Sequence, residues 1–421
     1  MRILLVAQYF DPEPHLKGLV FARELVRQGH EVEVLTGFPN YPGGRLYPGY
    51  RLRLWQREVV DGIRITRVPL YPSHDGSALN RALNYLSFAF SAALLGPWLV
   101  TRPQAIHAHH GNATTALPAW VLGMLHGAPY LLDIQDLWPD SIAASGMLPR
   151  RAGFFVPLMA AWCRFIYRQA GRISALSPGM RRTLIARGVP AERITVIPNW
   201  CDEAQAEPGP LEPGEAPLLA GRFNVLFAGN MGVMQGLEVV LEAAARLARE
   251  VPDAQFVLVG DGVVRAQLEA EATARGLANV RFLPRRPAEA MGGLLHAADA
   301  LLVHLKDDPL FEVTIPSKIQ AYLAAGRPIL CGVKGDGADL VREAGAGLLF
   351  PPEDAGALAE AVLALMRMPP ARREALGAAG RSFYRARLSV TAGTAAFVRA
   401  LRAARGESGG PYDGEPPAPE A

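Results

Sequence analysis

Cysteine is scarce in this chain, with three among 421 residues. Cys163, Cys201 and Cys331 lie far apart and show no paired spacing. This distribution argues against a disulfide framework or a zinc site and indicates a reducing compartment. The first apolar run is too short for a signal peptide and leads into an acidic turn, so we expect the protein to stay in the cytoplasm.

Acidic residues are sparse between residues 75 and 192, where only Asp133, Asp136 and Asp140 occur. Residues 1–200 carry 21 Lys and Arg against 12 Asp and Glu, whereas the remainder carries 22 against 28. Such a basic surface favours anionic partners. No helix-turn-helix, zinc-finger or aromatic RNA-binding signature is present, so we expect anionic lipid or a pyrophosphate-linked acceptor, and no nucleic acid. The arginines of this stretch are Arg81, Arg102, Arg150, Arg151, Arg164, Arg168, Arg172, Arg181, Arg182 and Arg187.

Short apolar runs alternate with helical patterns along the chain. This alternation is typical of parallel βαβ units, and the length is too great for one ordinary core. The sequence therefore predicts an α/β fold with two domains. Predicted strands cover residues 3–7, 31–35, 105–108, 130–134, 172–176 and 194–197, and then 223–227, 256–259, 280–283, 300–303, 329–331 and 348–350.

Changes in composition mark the domain boundaries. Residues 1–200 form the predicted N-terminal domain, and the Glu-, Pro- and Gly-rich stretch 201–222 is the predicted linker. A second α/β domain covers 223–370, followed by a wholly helical stretch, 371–405. Residues 406–421 are dominated by Gly, Pro and Glu, so we expect disorder there.

The segment 85–100 is almost entirely apolar, with Arg81 and Arg102 just outside it. It is shorter than the roughly 20 residues of a membrane span. Two interpretations stay open, a helix lying in the bilayer interface and a helix buried in the N-terminal domain. The basic surroundings favour contact with an anionic membrane surface.

Two glycine-rich loops follow predicted strands of the second domain, Ala228-Gly229-Asn230-Met231-Gly232-Val233-Met234-Gln235-Gly236-Leu237 and Val259-Gly260-Asp261-Gly262. Open α/β sheets bind ligands at the carboxyl ends of their strands, and a helix start attracts a diphosphate. Tight strand-to-helix packing is the alternative explanation. The spacing matches neither a dinucleotide-binding fingerprint nor a P-loop.

A third polar element opens a helix at Pro316-Ser317-Lys318. It directs backbone N–H groups and a cation towards one point. A simple capped helix would also explain Ser317.

These elements in this order resemble glycosyltransferase family 4, whose fold is GT-B. The resemblance covers roughly residues 1–400 and is closest to the fucosamine or fucosyl transferases of bacterial surface polysaccharide assembly. It implies two Rossmann-like domains with parallel sheets facing across a cleft, the C-terminal helices returning towards the N-terminal domain. The supporting motifs are Pro316-Ser317-Lys318 with Tyr322-Leu323-Ala324-Ala325-Gly326, Gln8-Tyr9-Phe10-Asp11-Pro12-Glu13, Asp136-Leu137-Trp138-Pro139-Asp140-Ser141, Leu176-Ser177-Pro178-Gly179-Met180 and Ile197-Pro198-Asn199-Trp200.

The resemblance also implies a donor site with departures from the family pattern. Asn230 and Gln235 stand where the family usually carries Arg and Lys, and Gln320 stands seven residues after Glu312, where a second Glu is usual. Other cations and helix N-termini must then meet the diphosphate charge. The expected donor-binding residues are Asn230, Gly232, Gln235, Gly260, Gly262, Arg285, Lys306, Pro316, Ser317, Lys318 and Gln320.

Polar residues of the N-terminal half supply the expected catalytic and acceptor groups. The loop with Glu13, Lys17 and Gly18 resembles the family's acceptor side. Side chains alternate along a strand, which places His107 and His109 on the same side. No carboxylate lies near them in sequence, so we expect no metal site there. The resemblance makes His109 a catalytic candidate, together with Glu312. Asp136 can accept the acceptor's proton or cap the turn before Trp138.

The resemblance implies a retaining transferase that uses a nucleotide diphosphate sugar as co-substrate and needs no other cofactor. The acceptor is a lipid-linked or other saccharide. Two alternatives stay open: a nucleotide-sugar epimerase of the same fold, and a non-catalytic nucleotide-sugar-binding partner of a membrane assembly complex.

Overall fold

The computed structural model describes residues 1–74, 77–140 and 155–407. The chain divides into two compact units. The first contains Met1–Leu176, Met180–Ile197 and the residues from Gly393 onward, and the second contains Ser177–Gly179 and Pro198–Ala392. Most of the predicted disordered tail 406–421, together with Ser141, Arg150 and Arg151, lies outside the described residues.

The first unit is built on a sheet that has eight strands in the described part of the chain. Its strand order is β3-β4-β2-β1-β5-β6-β7-β8, and every neighbouring pair is parallel except β3 with β4. The strands are β1 Arg2–Val6, β2 Glu31–Gly37, β3 Gln56–Val60, β4 Ile63–Val68, β5 Ala105–His110, β6 Tyr130–Ile134, β7 Arg172–Ala175 and β8 Ile194–Val196.

The antiparallel hairpin β3–β4 was not among the predicted strands. Asp61 and Gly62, at its turn, both have positive φ angles, as a two-residue hairpin turn requires. Charged residues such as Arg57 and Glu58 break up the apolar pattern of β3, an edge strand that needs little burial.

The second unit is built on a parallel sheet with six strands among the described residues, in the order β11-β10-β9-β12-β13-β14. Both faces of this sheet are covered, and all six residues of β10 are buried. Each of the six strands predicted for the second domain is present in this sheet, so these predictions are confirmed. The strands are β9 Phe223–Ala228, β10 Ala254–Val259, β11 Val280–Leu283, β12 Ala300–His304, β13 Ile329–Gly332 and β14 Gly347–Leu349.

Helices connect the strands of both sheets, as expected for parallel crossovers. They are α1 Leu19–Arg27, α2 Ala78–Leu99, α3 Ala116–His126, α4 Phe155–Gln169, α5 Pro178–Ala186, α6 Glu215–Leu219, α7 Glu238–Glu250, α8 Arg265–Ala274, α9 Met291–Ala297, α10 Pro309–Glu312, α11 Ser317–Ala325, α12 Asp336–Glu343, α13 Ala355–Arg367, α14 Pro370–Phe383 and α15 Val390–Ala404.

The expectation of one wholly helical stretch over 371–405 is wrong. A π-helical turn, Tyr384–Leu388, follows α14, and Ser389 is extended before α15 begins. Tyr384 explains the interruption, because its hydroxyl accepts a hydrogen bond from the backbone N–H of Cys201 and bonds to the carboxylate of Glu203. These bonds fix the buried ring, and the helix deforms locally to keep them.

The stretch 201–222 contains ordered structure. Helix α6 lies in it, and its buried Glu215 accepts a hydrogen bond from Arg286 at 2.9 Å. The carbonyl oxygens of Glu207 and Pro210 lie so close to Gly292 and Gly293 that a Cβ at either glycine would clash. These contacts attach the stretch to the second unit, beside α9.

Candidate active site

The two glycine-rich loops of the second unit lie directly against each other. Gly229 N donates to Val259 O at 2.9 Å, and Met231 N donates to Asp261 O at 2.7 Å. Gly260 has a φ of +139°, and a Cβ there would lie 2.0 Å from the carbonyl oxygen of Gly229. Glycine is therefore required at this position. Parallel pairing of β9 with β10 places both loops at one edge of the sheet, as predicted.

Lys318 reaches the first of these loops from helix α11. A Cβ at Gly229 would lie 2.9 Å from Lys318 Nζ, so the absence of a side chain at Gly229 makes room for the ammonium group. The ammonium also lies over the ring of Phe227, 4.8 Å from its centroid. Burial lowers the pKa of Lys318 to about 8. A cation with few neighbours to compensate it therefore lies beside exposed loop backbone.

The start of α11 supplies backbone donors beside Lys318. Pro316 is the N-cap residue and Ser317 the first helical residue, so no side chain caps this N-terminus. The alternative explanation of Ser317 as a capping residue is therefore wrong. Gln320 is buried. In the amide orientation that satisfies both its oxygen and its nitrogen, the nitrogen donates to the backbone carbonyls of Pro316 and Ser317. Its side chain is thus used within its own helix.

The remaining residues of the first loop form a hydrogen-bonded turn. Gln235 Oε1 accepts from Gly232 N at 2.9 Å, and Asn230 is exposed with its amide beside Gly232. Lys306 N donates to Met234 O at 3.0 Å, and the Lys306 stem packs against the end of the loop. Lys306 therefore joins Lys318 at the glycine-rich loops.

Two predicted residues lie at the margin of this arrangement. Arg285 is exposed, two residues beyond the end of β11, whose Leu283 O accepts from Gly260 N. Glu312 ends the short helix α10 with an exposed side chain, and its backbone packs against Gly335. Within the described ranges, no hydrogen bond or ion pair joins Glu312 to Lys318.

Two residues that hold the loops in place were not predicted. The Tyr322 hydroxyl accepts a hydrogen bond from Ala228 N at 2.9 Å and so fixes the end of β9 against α11. His304 Nδ1 lies 2.6 Å from Gln235 O, and Glu353 N donates to His304 Nε2 at 2.9 Å. This places the His304 proton on Nδ1. Tyr322 stood within a quoted motif, whereas His304 gave no sequence signal.

In the first unit, the central feature is a carboxylate that was not predicted as a site residue. Asp133 has no exposed surface and lies within β6. Lys17 Nζ donates to its Oδ2 at 2.7 Å, and Ser174 Oγ donates to its Oδ1 at 2.8 Å. Burial alone would raise the pKa of Asp133, but the Lys17 cation and the histidine N–H groups hold it well below its usual range.

His109 also contacts this carboxylate. Its Nδ1 lies 3.3 Å from Asp133 Oδ2. Because a carboxylate only accepts, Nδ1 carries the proton and Nε2 keeps a lone pair. Burial lowers the pKa of His109, although Asp133 opposes this shift, so the ring is neutral near pH 7. The side chain is 16% exposed, whereas Asp133 and Lys17 have at most 1% of their side-chain surface exposed.

Strand pairing supplies the carboxylate that the sequence around the histidines lacks. The register of β5 with β6 pairs His109 with Asp133, a neighbour that sequence spacing cannot show. His107 Nε2 also lies 3.5 Å from Asp133. The His107 ring is buried and packs edge-on against Phe21 and Phe397. His107 is therefore a core residue, and His109 is the member that reaches the surface.

Glu13 and Gly18 shape the loop before α1. Glu13 is buried, and its carboxylate accepts from the backbone N–H groups of Phe10, Asn40 and Tyr41. Gly18 leaves space for Asp11, whose carboxylate accepts from Leu19 N at 2.7 Å. Both predicted residues thus determine the conformation of the loop.

Asp136 lies just beyond β6 with an exposed side chain. Trp138 N donates to the Asp136 backbone carbonyl at 3.0 Å. The alternative role of capping this turn through the side chain is therefore wrong. Among the described residues, no hydrogen bond or ion pair engages its carboxylate.

Comparison with known proteins covers both units. Residues 19–200 match the family described as glycosyl transferase 4-like domain, and residues 215–383 match glycosyl transferases group 1. The putative colanic acid biosynthesis glycosyl transferase WcaI of Escherichia coli K12 is 33% identical over 342 residues, 77% of this chain and 82% of that protein. The probable glycosyltransferase WbjE of Pseudomonas aeruginosa is 29% identical over 244 residues, 56% of this chain and 59% of that protein.

Solved structures support the fold. Anabaena Alr3699/HepE in complex with UDP superimposes with a TM-score of 0.67 and 16% identity, over 96% of this chain and all of that one. Sucrose-phosphate synthase of Thermosynechococcus elongatus gives 0.65 and 19%, over 97% and 100%. The expected GT-B fold is confirmed. The chain therefore belongs to the GT-B glycosyltransferases that combine a glycosyltransferase 4-like domain with a group 1 domain.

Proposed function

We propose that this glycosyltransferase retains anomeric configuration and moves a sugar from a nucleotide diphosphate donor to a lipid-linked saccharide during cell-surface polysaccharide synthesis. The placement of Lys318 against Gly229 carries the donor part of this proposal. The name of WcaI, which refers to colanic acid biosynthesis, supports the polysaccharide part. The resemblance of the motifs to fucosamine and fucosyl transferases suggests a donor sugar of that type.

The donor diphosphate would bind at the stacked glycine-rich loops. Lys318, Lys306 and the start of α11, which has no side-chain cap, offer two cations and backbone N–H groups there. These groups replace the Arg and Lys that the family usually carries at Asn230 and Gln235. The UDP bound by Alr3699/HepE supports a nucleotide ligand for this fold.

Retention would follow from displacement at one face of the donor sugar. The acceptor hydroxyl oxygen forms the new bond to the anomeric carbon on the side from which the diphosphate leaves. The departing diphosphate oxygen takes the hydroxyl proton, so this step needs no protein nucleophile. The neutral His109, with its Nε2 lone pair free of Asp133, is suited to accept a hydrogen bond from a substrate hydroxyl. Asp136 is the alternative proton acceptor.

Helix α2 is proposed to contact the inner face of the cell membrane. Of the helices that the structure describes, α2 alone is long and apolar enough to cross a bilayer. Phe88 and Ala92 are nevertheless buried in the core of the first unit, which favours a helix lying in the interface. Its opposite face carries exposed apolar side chains at helical spacing: Leu79, Leu83, Leu86, Phe90, Leu94 and Trp98.

Donor binding and turnover test this proposal. A thermal-shift screen of nucleotide sugars, including activated fucosamine and fucose, identifies the donor by its stabilisation of the protein. Lys318→Ala and Glu312→Ala are expected to abolish transfer to lipid-linked acceptors while the protein stays folded. Arg249→Ala, on the exposed end of α7, is the matched control. Unchanged turnover in both site variants would contradict the donor-site assignment.

The product separates the proposal from its alternatives. An epimerase would convert the donor without an acceptor, and a non-catalytic partner would bind the donor without turnover across the acceptor panel. Inversion at the anomeric carbon, detected by NMR of the product, would refute retention.

A further inference from the structure

The connection between β2 and β3 ends in an exposed apolar and basic stretch, residues 51–55, which we call the 51–55 segment. Leu52, Leu54 and Trp55 are 48%, 67% and 44% exposed, and Arg51 and Arg53 are exposed between them. Grouped apolar side chains on a protein surface commonly mark an interaction site.

This exposure occurs on a fixed segment. The Tyr50 hydroxyl lies 3.3 Å from Glu58 Oε2, and the Arg67 guanidinium lies over the Tyr50 ring, 5.0 Å from its centroid. Arg67 is itself buried and paired with Glu58 at 2.6 Å. The residue before the segment is thus attached to the sheet, and β3 begins directly after it.

The segment adjoins the end of α2. Arg57 lies over the Trp55 ring, 5.6 Å from its centroid, and its guanidinium donates to the carbonyl of Leu99 at 2.7 Å. Leu99 is the last residue of α2 and follows Trp98, which is 78% exposed. Arg57 therefore links Trp55 to the last residue of α2, which directly follows the exposed Trp98.

The segment lies in a stretch of sequence that carries only positive charge, and the acid that follows it, Glu58, is paired with the buried Arg67. Residues 41–57 contain four arginines, Arg45, Arg51, Arg53 and Arg57, and no acid. In the described part of the chain, Arg51 and Arg53 form no ion pair. Tryptophan beside arginine on one surface is typical of the boundary between lipid headgroups and acyl chains.

We propose that the 51–55 segment is a second contact with an anionic lipid bilayer, continuous with the exposed face of α2. Leu52, Leu54 and Trp55 enter the interface, while Arg51 and Arg53 pair with lipid phosphates. This inference rests on the proposed membrane contact of α2. With this second contact, the membrane-binding surface consists of α2 and the 51–55 segment. Two contacts determine how the first unit is rotated about the α2 axis relative to the membrane plane.

A fluorescent label on the segment tests the contact directly. The native cysteines are buried, and burial raises the pKa of Cys163 to about 11 and those of Cys201 and Cys331 to about 12, so one added exposed thiol can be labelled selectively. Leu54→Cys carries an environment-sensitive nitrobenzoxadiazole dye, Leu94→Cys reports α2, and Val263→Cys in the second unit is the control. Vesicles of phosphatidylcholine with 30% phosphatidylglycerol are expected to shift the emission at positions 54 and 94 to the blue, and to leave position 263 unchanged.

Vesicle affinity tests the charge. The double variant Arg51→Gln/Arg53→Gln is expected to bind these vesicles about 30-fold more weakly, because each arginine near an anionic surface contributes about fivefold. The loss should shrink in high salt. Arg249→Gln/Arg372→Gln removes the same charge from exposed sites of the second unit and should have little effect.

The outcomes separate the inference from the function on which it rests. A shift at position 94 with none at position 54, and unchanged affinity of the arginine variant, would overturn the second contact and leave α2 in place. No shift at either position would overturn both. A shift at position 54 that needs no vesicles and grows with protein concentration would assign the segment to a contact between copies of the chain instead.

Discussion

The buried pair Lys17–Asp133 permits a quantitative prediction. Its 2.7 Å contact joins two side chains with 1% and 0% of their surface exposed. Lys17→Met keeps much of the side-chain volume but leaves the carboxylate without its cation. Removing one partner of a buried pair costs about 3–5 kcal/mol of unfolding free energy. For a unit of this size, the loss corresponds to a Tm on the order of 10 °C lower.

A double-mutant cycle measures this interaction. Lys17→Met and Asp133→Asn should each destabilise the first unit strongly, whereas their combination should recover a large part of the loss, with a coupling of at least about 2 kcal/mol in denaturant unfolding. The exposed pair Arg342–Asp339 is the matched control, with expected coupling below about 0.5 kcal/mol. Additive losses at Lys17 and Asp133 would refute the reasoning.

The same pair sets a pH dependence. The pKa of Asp133 is held well below its usual range, so the unfolded chain binds its proton at higher pH than the folded chain. Its stabilising contribution is therefore present above about pH 4, where the unfolded carboxyl is ionised, and is lost as the pH falls towards the folded pKa. Asp133→Asn should flatten this part of the stability profile. If the stability of the variant fell at acidic pH as steeply as that of the unmodified protein, the assignment would be contradicted.

Three further predictions concern the second unit. Donor affinity should fall as the pH rises above about 8, because burial lowers the pKa of Lys318 to about 8 and only the protonated form attracts a diphosphate. Calorimetric titration of the donor at several pH values checks this. Lys318→Arg should remove the pH dependence. Gly260→Ala should abolish donor binding and destabilise the unit by about 1–3 kcal/mol, since the new Cβ would meet the Gly229 carbonyl; retained binding in titration would contradict the close stacking. Tyr322→Phe should lower the free energy of unfolding by about 1 kcal/mol in thermal unfolding, because it removes the hydrogen bond from Ala228 N. An unchanged stability would show that the hydroxyl is dispensable and would contradict this role.

The sequence predicted the framework of the fold well. Buried parallel strands form continuous apolar runs, so β6 and β11 were located to the residue at Tyr130–Ile134 and Val280–Leu283. The hairpin β3–β4 was not predicted, because an edge strand can carry charges that break the apolar pattern. The break at Ser389 was not predicted either, since hydrogen bonds of Tyr384 to residues distant in sequence produce it.

The sequence by itself determined the class of protein and located the glycine-rich loops proposed to bind the donor, because glycine-rich turns after apolar strands and a Pro-Ser-Lys helix start are local features. Only the tertiary structure decided which side chains meet. It brought Lys318 beside Gly229 and made Asp133 the common partner of Lys17 and His109. The physical reason is strand register: β5 and β6 pair residues 24 positions apart, and no local pattern encodes that contact.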